Sequence, residues 1–206
     1  MKQSTQLISL VIILVCILGQ ALKSQNYVGE IMDFRDKLNQ QYKSDNSPLK
    51  KEDISWFDGH GFFPIDDVYR VEANYSLIEG GEEFEMKTTT DRLPIYKPYA
   101  KARFMLKGES HELTLYQNVE YSKRPGYKDY LFLPFKDFTN GDSSYGGGRF
   151  IDLRMSKTDR IVIDFNKSYN PLCAYNSKYS CPIPPRENHL QTEINAGVRT
   201  PIGFHK

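Results

Sequence analysis

The chain has 206 residues, 39% of them hydrophobic and 13% aromatic, with 27 basic against 26 acidic side chains and a net charge of +1. That length and apolar content suit one domain with a real core and leave little room for two of ordinary size. So even a charge balance argues against a phosphate-backbone binder, which needs a basic stripe; no nucleic-acid partner is expected, and "LKK" at Leu49 to Lys51 and the scattered Lys97, Lys101 and Arg103 read as solvated positions.

Met1-Lys2-Gln3 puts a positive charge ahead of the apolar run Leu7 to Leu18, twelve residues long. This is the length of a signal-peptide core and is too short to span a bilayer comfortably. Residues 1–24 are therefore expected to be an export signal, cleaved after Ser24 or, reading Gly19-Gln20-Ala21 as small-x-small, after Ala21. The expected localisation is export, periplasmic or secreted, with membrane contact only through the signal segment; a membrane-anchored form with Lys23 as stop flank is the alternative. Lipidation of Cys16 is disfavoured, because Val15 stands where a lipobox requires a small residue. Removing residues 1–24 takes away Lys2, Lys23 and Cys16, so the mature chain keeps 25 basic and 26 acidic residues.

Residues 25–46 read as an N-terminal helix and linker. From Tyr27 to Tyr42 the apolar Val28, Ile31, Met32, Leu38 and Tyr42 recur at helical spacing, with Glu30, Asp33, Arg35, Asp36 and Lys37 between them. The helix is expected to pack on a sheet. "KSDNSPLKKED" ends the pattern, and Pro48 forces an extended backbone before it.

Beyond the linker the period changes to two. Tyr69, Val71, Ala73, Tyr75 and Leu77 alternate with Arg70, Glu72, Asn74 and Ser76, the pattern of a half-buried antiparallel strand. Further strands are expected at Glu83 to Thr89, Lys101 to Lys107, Glu112 to Gln117, Asp129 to Pro134, Phe150 to Met155 and Arg160 to Phe165. Turn chemistry separates them, at Gly80-Gly81, Lys107-Gly108, Pro125-Gly126, Asn140-Gly141 and Gly146-Gly147-Gly148. Seven short strands without intervening helices predict an all-β fold, mainly an antiparallel barrel or sandwich, with an N-terminal helix and an irregular C-terminal wrap. "CPIPP", Cys181 to Pro185, lacks the N–H groups of an interior strand and fits an extended surface wrap.

Ser47-Pro48-Leu49, "FDGHGFFPIDDVYRVEA" from Phe57, "FKDFTNGDSSYGGGRFID" from Phe135, "DFNKSYNPLCAYNSKYSCPIPPRENHL" from Asp164 and "INAG" from Ile194 together resemble the bacterial DUF1684 family, a family of unknown function. The resemblance spans residues 47–197, leaving 198–206 as a tail. Two positions depart from it: His60 stands where an apolar residue is expected after F-x-G, and Val198 where the family tends to carry an acid after Ala-Gly. The resemblance also extends to chains without an export signal, which weakens a compartment argument for the cysteines.

After export, Cys173 and Cys181 are the remaining thiols, and in an oxidising compartment a disulfide is the simplest account. By the chain-entropy model it would stabilise by roughly 2.6 kcal/mol. Two unpaired thiols, a zinc site completed by His189, and a nucleophilic Cys with His189 as base remain as alternatives. None of His60, His111, His189 and His205 sits in H-x-H or H-x-x-x-H spacing, so neither metal nor other cofactor is expected.

Ligand-binding candidates come from two polar segments. In Asp137 to Arg149, the side chains of Asp137, Thr139, Tyr145 and Arg149 surround turn-forming glycines; this is an anion-binding nest or a hairpin loop whose Arg149 pairs with an acid. In Asp164 to Asn170, Asp164, Asn166 and Asn170 either contact a ligand or brace irregular backbone. The expected function is a non-catalytic exported β domain whose partner is a small molecule, a glycan or an envelope component, because 14 Tyr and 12 Phe can line a cavity while catalytic spacings are absent. The alternative is a hydrolase-like enzyme with a polar pocket around Asp137, Tyr145, Arg149 and Asp164, so enzymatic activity is left open.

Overall fold

A computed structural model describes residues 24–204. The expected signal segment up to residue 23, with Cys16, lies outside the described residues, as does His205. The chain forms two units, one ending at Leu38 and one running from Asn39 onward. Helix α1 covers 24–43, close to the range its apolar spacing predicts, and its final residues from Asn39 belong to the second unit. It ends where Ser47 Oγ donates to the Tyr42 carbonyl at 2.6 Å and Pro48 follows. Among the described residues no helix is long and apolar enough to cross a membrane.

The second unit is built on one antiparallel sheet. After the short helix α2 (Lys51–Ile54) come β1 (Arg70–Leu77), β2 (Phe84–Glu85), β3 (Ile95–Leu106) and β4 (Glu109–Asn118). Helix α3 (Val119–Ser122) then leads to β5 (Tyr130–Phe135), β6 (Arg149–Arg154) and β7 (Arg160–Asp164). The strand order is β6-β5-β4-β3-β1-β7, with β2 paired to β3. This one sheet curls into a half-barrel, rather than a closed barrel or a two-sheet sandwich, and the helices make the fold less than purely β.

Alternation on β1 does what period two demands. Val71, Ala73 and Tyr75 are buried and meet Ile161 and Ile163 of β7 and Ala100, Ala102 and Phe104 of β3 in the main core. The β3–β4 hairpin turns on Lys107-Gly108, with φ of 51° and 84°, the paired positive values of a two-residue I′ turn. The opposite face of the central strands carries a second cluster of Met86, Tyr96, Tyr116, Phe132 and Phe150.

Two departures from the expected strands have local causes. Of the predicted strand Glu83 to Thr89 only Phe84–Glu85 pairs with β3, because Thr88 Oγ1 donates to the Arg92 carbonyl at 2.6 Å and bends the chain, and Thr88 bridges instead to Pro182 of the wrap. Strand β3 starts six residues earlier than its alternation suggested, since Pro98 hides the pattern and the register slips between Pro98 and Ala100, a bulge.

The C-terminal wrap is irregular, as "CPIPP" implies, but it is built into the sheet. Strands β4 and β5 share the pair Tyr116–Phe132, and Asn188 occupies the gap beyond it. Its Nδ2 donates to the carbonyls of Thr114 (2.9 Å) and Pro134 (2.7 Å), while its Oδ1 accepts from the Thr114 N–H at 2.8 Å. Backbone groups that a regular ladder would pair are thus satisfied by one buried side chain.

Candidate functional site

Two of the sequence-predicted residues, Asp137 and Arg149, meet in the interior. Arg149 is fully buried and pairs with Asp137 at 2.8 Å; it also donates to the carbonyls of Ile194 (2.8 Å) and Ala196. Asp137 Oδ1 accepts from the Thr139 N–H (2.9 Å), the Thr139 hydroxyl (2.5 Å) and the Ile194 N–H (3.2 Å). Burial lowers the pKa of Arg149 and the facing Asp137 carboxylate opposes the shift. The guanidinium lies 5.3 Å from the Phe135 ring and 5.7 Å from that of Phe63. Chemically this is a bracket that ties residues 194–196 to the sheet, and its charges face each other rather than a ligand.

The glycine triplet serves packing. A Cβ at Gly147 would lie 2.3 Å from the Tyr145 ring, so only glycine lets that ring lie against the loop. Burial, and then the nearby Cys173, push the Tyr145 phenol up to about 12. In the second segment Asp164 Oδ1 accepts from the Asn166 N–H at 3.0 Å, and Asn166 exchanges bonds with the backbone of Asp66, donating to its carbonyl at 2.8 Å. Asn170 donates to the Tyr175 hydroxyl (3.0 Å) and the Arg199 carbonyl (2.9 Å). Asp137 and Arg149 thus face each other, Tyr145 faces Cys173 and Asp164 faces Asn166, so the four groups named for hydrolysis do not converge on one reacting atom.

The expected disulfide is not formed. Cys173 and Cys181 are neighbours, as their spacing implied, but both are free thiols, and the Cys173 N–H donates to Cys181 Sγ at 3.1 Å. The pair is held by hydrogen bonds in place of a covalent bond. His189, the sequence's candidate third ligand or base, shares its Nε2 with the Pro184 carbonyl at 3.1 Å, which requires it to carry the proton there. Among the described residues no group of three or more His, Cys, Asp or Glu side chains is placed to hold a metal ion.

The most site-like feature is a cleft of about 470 Å³ walled by the 56–61 segment, the 198–204 segment, Asp142, Ser143 and Tyr175. His60 is among its lining residues. The imidazole lies 4.4 Å from the Tyr42 ring, 5.1 Å from Phe57 and 5.4 Å from Tyr175, each nearly edge-on. The Trp56 and Phe204 rings, also in the lining, lie 4.9 Å apart and tilted by 40°. Asn39 Oδ1 accepts from both the His60 backbone N–H (2.8 Å) and the ring Nδ1 (2.7 Å). A backbone N–H can only donate, so the Asn39 atom is its carbonyl oxygen and Nδ1 carries the ring proton. Among the described residues no hydrogen-bond partner is placed on Nε2. Burial among the aromatic rings pulls the His60 pKa down to about 4, so the ring is neutral at physiological pH.

Backbone bonds fix the walls. Phe62 bridges to Val198, the Arg199 N–H donates to the Gly61 carbonyl (2.8 Å) and the Thr200 N–H to that of Ser143 (3.0 Å). Arg199 crosses the Phe63 ring at 5.5 Å, and with Asp58 and Asp142 it gives the mouth charge of both signs. His60 and Val198, the two positions marked by departure from the family pattern, both line this cleft. None of the six ligand-binding candidates from the sequence does. Nothing in the sequence marks Asn39, which sits 21 residues from its partner among the polar positions of a helix.

The family model described as "Protein of unknown function (DUF1684)" matches residues 55–199. The solution structure of an uncharacterized protein from Haloarcula marismortui is similar, with 35% identity and a TM-score of 0.68 over 88% of this chain and 98% of that one. No functionally curated protein matches the sequence.

Proposed function

The chain belongs to the DUF1684 family, whose description assigns no function, and for it we propose a ligand-binding role centred on the His60 cleft. The observation that carries this reading is the neutral imidazole fixed by Asn39, with an open Nε2 acceptor inside an aromatic cleft. The cleft volume, about 470 Å³, falls within the range of small-molecule sites. Its ligand is a compact ring compound that stacks on the aromatic walls and donates one N–H or O–H to Nε2.

Binding is favoured over catalysis by the same geometry. A general base works best with a pKa near the operating pH, and burial holds His60 near 4. Behind the ring stands a neutral amide instead of a carboxylate, so an imidazolium formed in a reaction would have no charged partner. Export remains part of the proposal on the strength of the Leu7 to Leu18 run.

Protein-observed NMR with a panel of indoles, phenols and lactams tests the reading. Hits are expected to shift His60 Nε2 and to be lost in His60→Ala. Nitrogen shifts showing a proton on Nε2 in the free protein, or hits that ignore His60→Ala, would overturn it.

A further inference from the structure

Away from the cleft, two thiols and two hydroxyls meet where the wrap crosses the segment after β2. The Thr89 N–H donates to the Cys181 carbonyl at 2.9 Å, and the Cys181 N–H returns to Thr89 Oγ1 at 3.1 Å, so this crossing is a fixed platform. On it the Cys173 N–H donates to Cys181 Sγ at 3.1 Å, with the side chains of Thr89 and Tyr145 close enough to act on the Cys173 thiol. Cys181 is buried while Cys173 is partly exposed. Neither cysteine lines the His60 cleft, and nor do Tyr145 or Thr89.

We propose that Cys173 is a nucleophilic thiol that reduces hydroperoxides, with Cys181 as its resolving partner. The thiolate is the reactive form of cysteine, and donors aimed at one sulfur favour it there. The hydrogen bond from Cys181 holds the Cys173 thiol below its ordinary pKa, burial opposes this, and the bonds from Tyr145 and Thr89 add to it; Cys181 is raised in turn and keeps its proton. The titratable groups facing Cys173 are Cys181, Tyr145 and Tyr42, and burial raises both phenols, so they stay neutral donors or bystanders near neutral pH.

The chemistry balances with a hydroperoxide as oxidant. The Cys173 thiolate supplies an electron pair to the terminal peroxide oxygen; an S–O bond forms, the O–O bond breaks, and the alkoxide leaves and takes a proton from solvent. Cys181 then loses its proton and attacks the Cys173 sulfenic acid, expelling hydroxide, which is protonated to water. The sum converts two thiols and one hydroperoxide into a disulfide, an alcohol and water. Cys181 Sγ already lies 3.1 Å from the Cys173 backbone nitrogen, so closure requires little backbone movement.

The test uses reduced, desalted full-length protein and stoichiometric hydrogen peroxide. Intact mass should fall by two hydrogen atoms, faster than free cysteine reacts at the same pH, with a rate that rises through a midpoint below the ordinary thiol value. Cys181→Ser should accumulate a sulfenic acid at Cys173 that dimedone traps, Cys173→Ser should leave Cys181 unoxidised, and Tyr145→Phe should slow the first step several-fold. Since a buried substitution can impair folding, sub-stoichiometric alkylation of the native chain with peptide mapping gives a second reading, with Cys173 expected to be labelled first. Labelling of Cys181 first, a rate no faster than free cysteine, or a bond that resists reductant in the native protein would overturn the proposal.

Discussion

The Arg149 bracket and the His60 cleft both reach the Phe63 segment, yet they treat their polar atoms differently. Around Arg149 the chain supplies the acceptors itself, a carboxylate and two carbonyls, and Nε alone lacks a partner among the described residues. Around His60 the chain satisfies the Nδ1 proton and the backbone N–H, then stops, leaving Nε2 open. A buried polar group completed from within is a fastener. One left incomplete in a cleft is an invitation to a ligand.

The comparison breaks most severely at the fastener. Arg149→Met should destabilise by about 3–5 kcal/mol, because Asp137 is left buried without its counter-charge. Denaturant unfolding measures this, and replacing Asp137 by Leu in the same chain should recover part of the loss. A loss near zero would mean the bracket is not what fixes residues 194–196.

At the cleft the next effect is read from pH. The His60 pKa is about 4 in the folded chain and 6.5 ordinarily, so between these values the unfolded state binds more protons and stability falls as pH falls. Each pH unit of that window costs about 1.4 kcal/mol, so the loss should reach about 3 kcal/mol across it. His60→Phe should flatten the window and leave the variant more stable than its parent at pH 5, while abolishing ligand binding. Such a gain in stability with loss of function is the signature of a site; a slope unchanged by His60→Phe would assign the pH effect elsewhere.

Asn39→Ala comes third. It strands two partly buried donors and should cost about 2 kcal/mol, and it frees the imidazole tautomer, visible in nitrogen NMR. If the Nδ1 proton stays in place without Asn39, the aromatic walls rather than the amide set it. Smallest of the four is Gly147→Ala, about 1 kcal/mol, since the Tyr145 ring must shift away from the new methyl. Its sharper readout is loss of Tyr145 from Cys173, measured as slower thiol alkylation, with the bracket undisturbed.

The sequence carried the sheet better than the sites, for a physical reason. Alternation at Val71, Ala73 and Tyr75 is local and survives any partner, so β1 was legible, whereas Pro98 concealed the start of β3 because a bulge absorbs it. Asp137 and Arg149 stood out as polar residues beside turns, but whether they face a ligand or each other depends on carbonyls 45 and 47 positions away from Arg149. The nearness of Cys173 and Cys181 was written in their spacing; their oxidation state was not. Among the cleft's central residues His60 was legible as an anomaly, while Asn39 looked like any helix surface residue.

The reach of Arg149 to Ile194 and Ala196 also orders events in time. Its carbonyl acceptors lie 45 and 47 residues further along the chain, and until residues 194–196 emerge the guanidinium has only Asp137 and Thr139 to receive its protons. Burying it earlier would leave those donors unmet at a cost the half-formed sheet cannot carry. Strands β1 to β7 can pair during synthesis, but closure waits until residues 194–196 have left the ribosome, because contacts so distant in sequence form late. A nascent chain halted before Ile194 should therefore stay open to protease at β6, and extending it past Ala196 should close it in a single step.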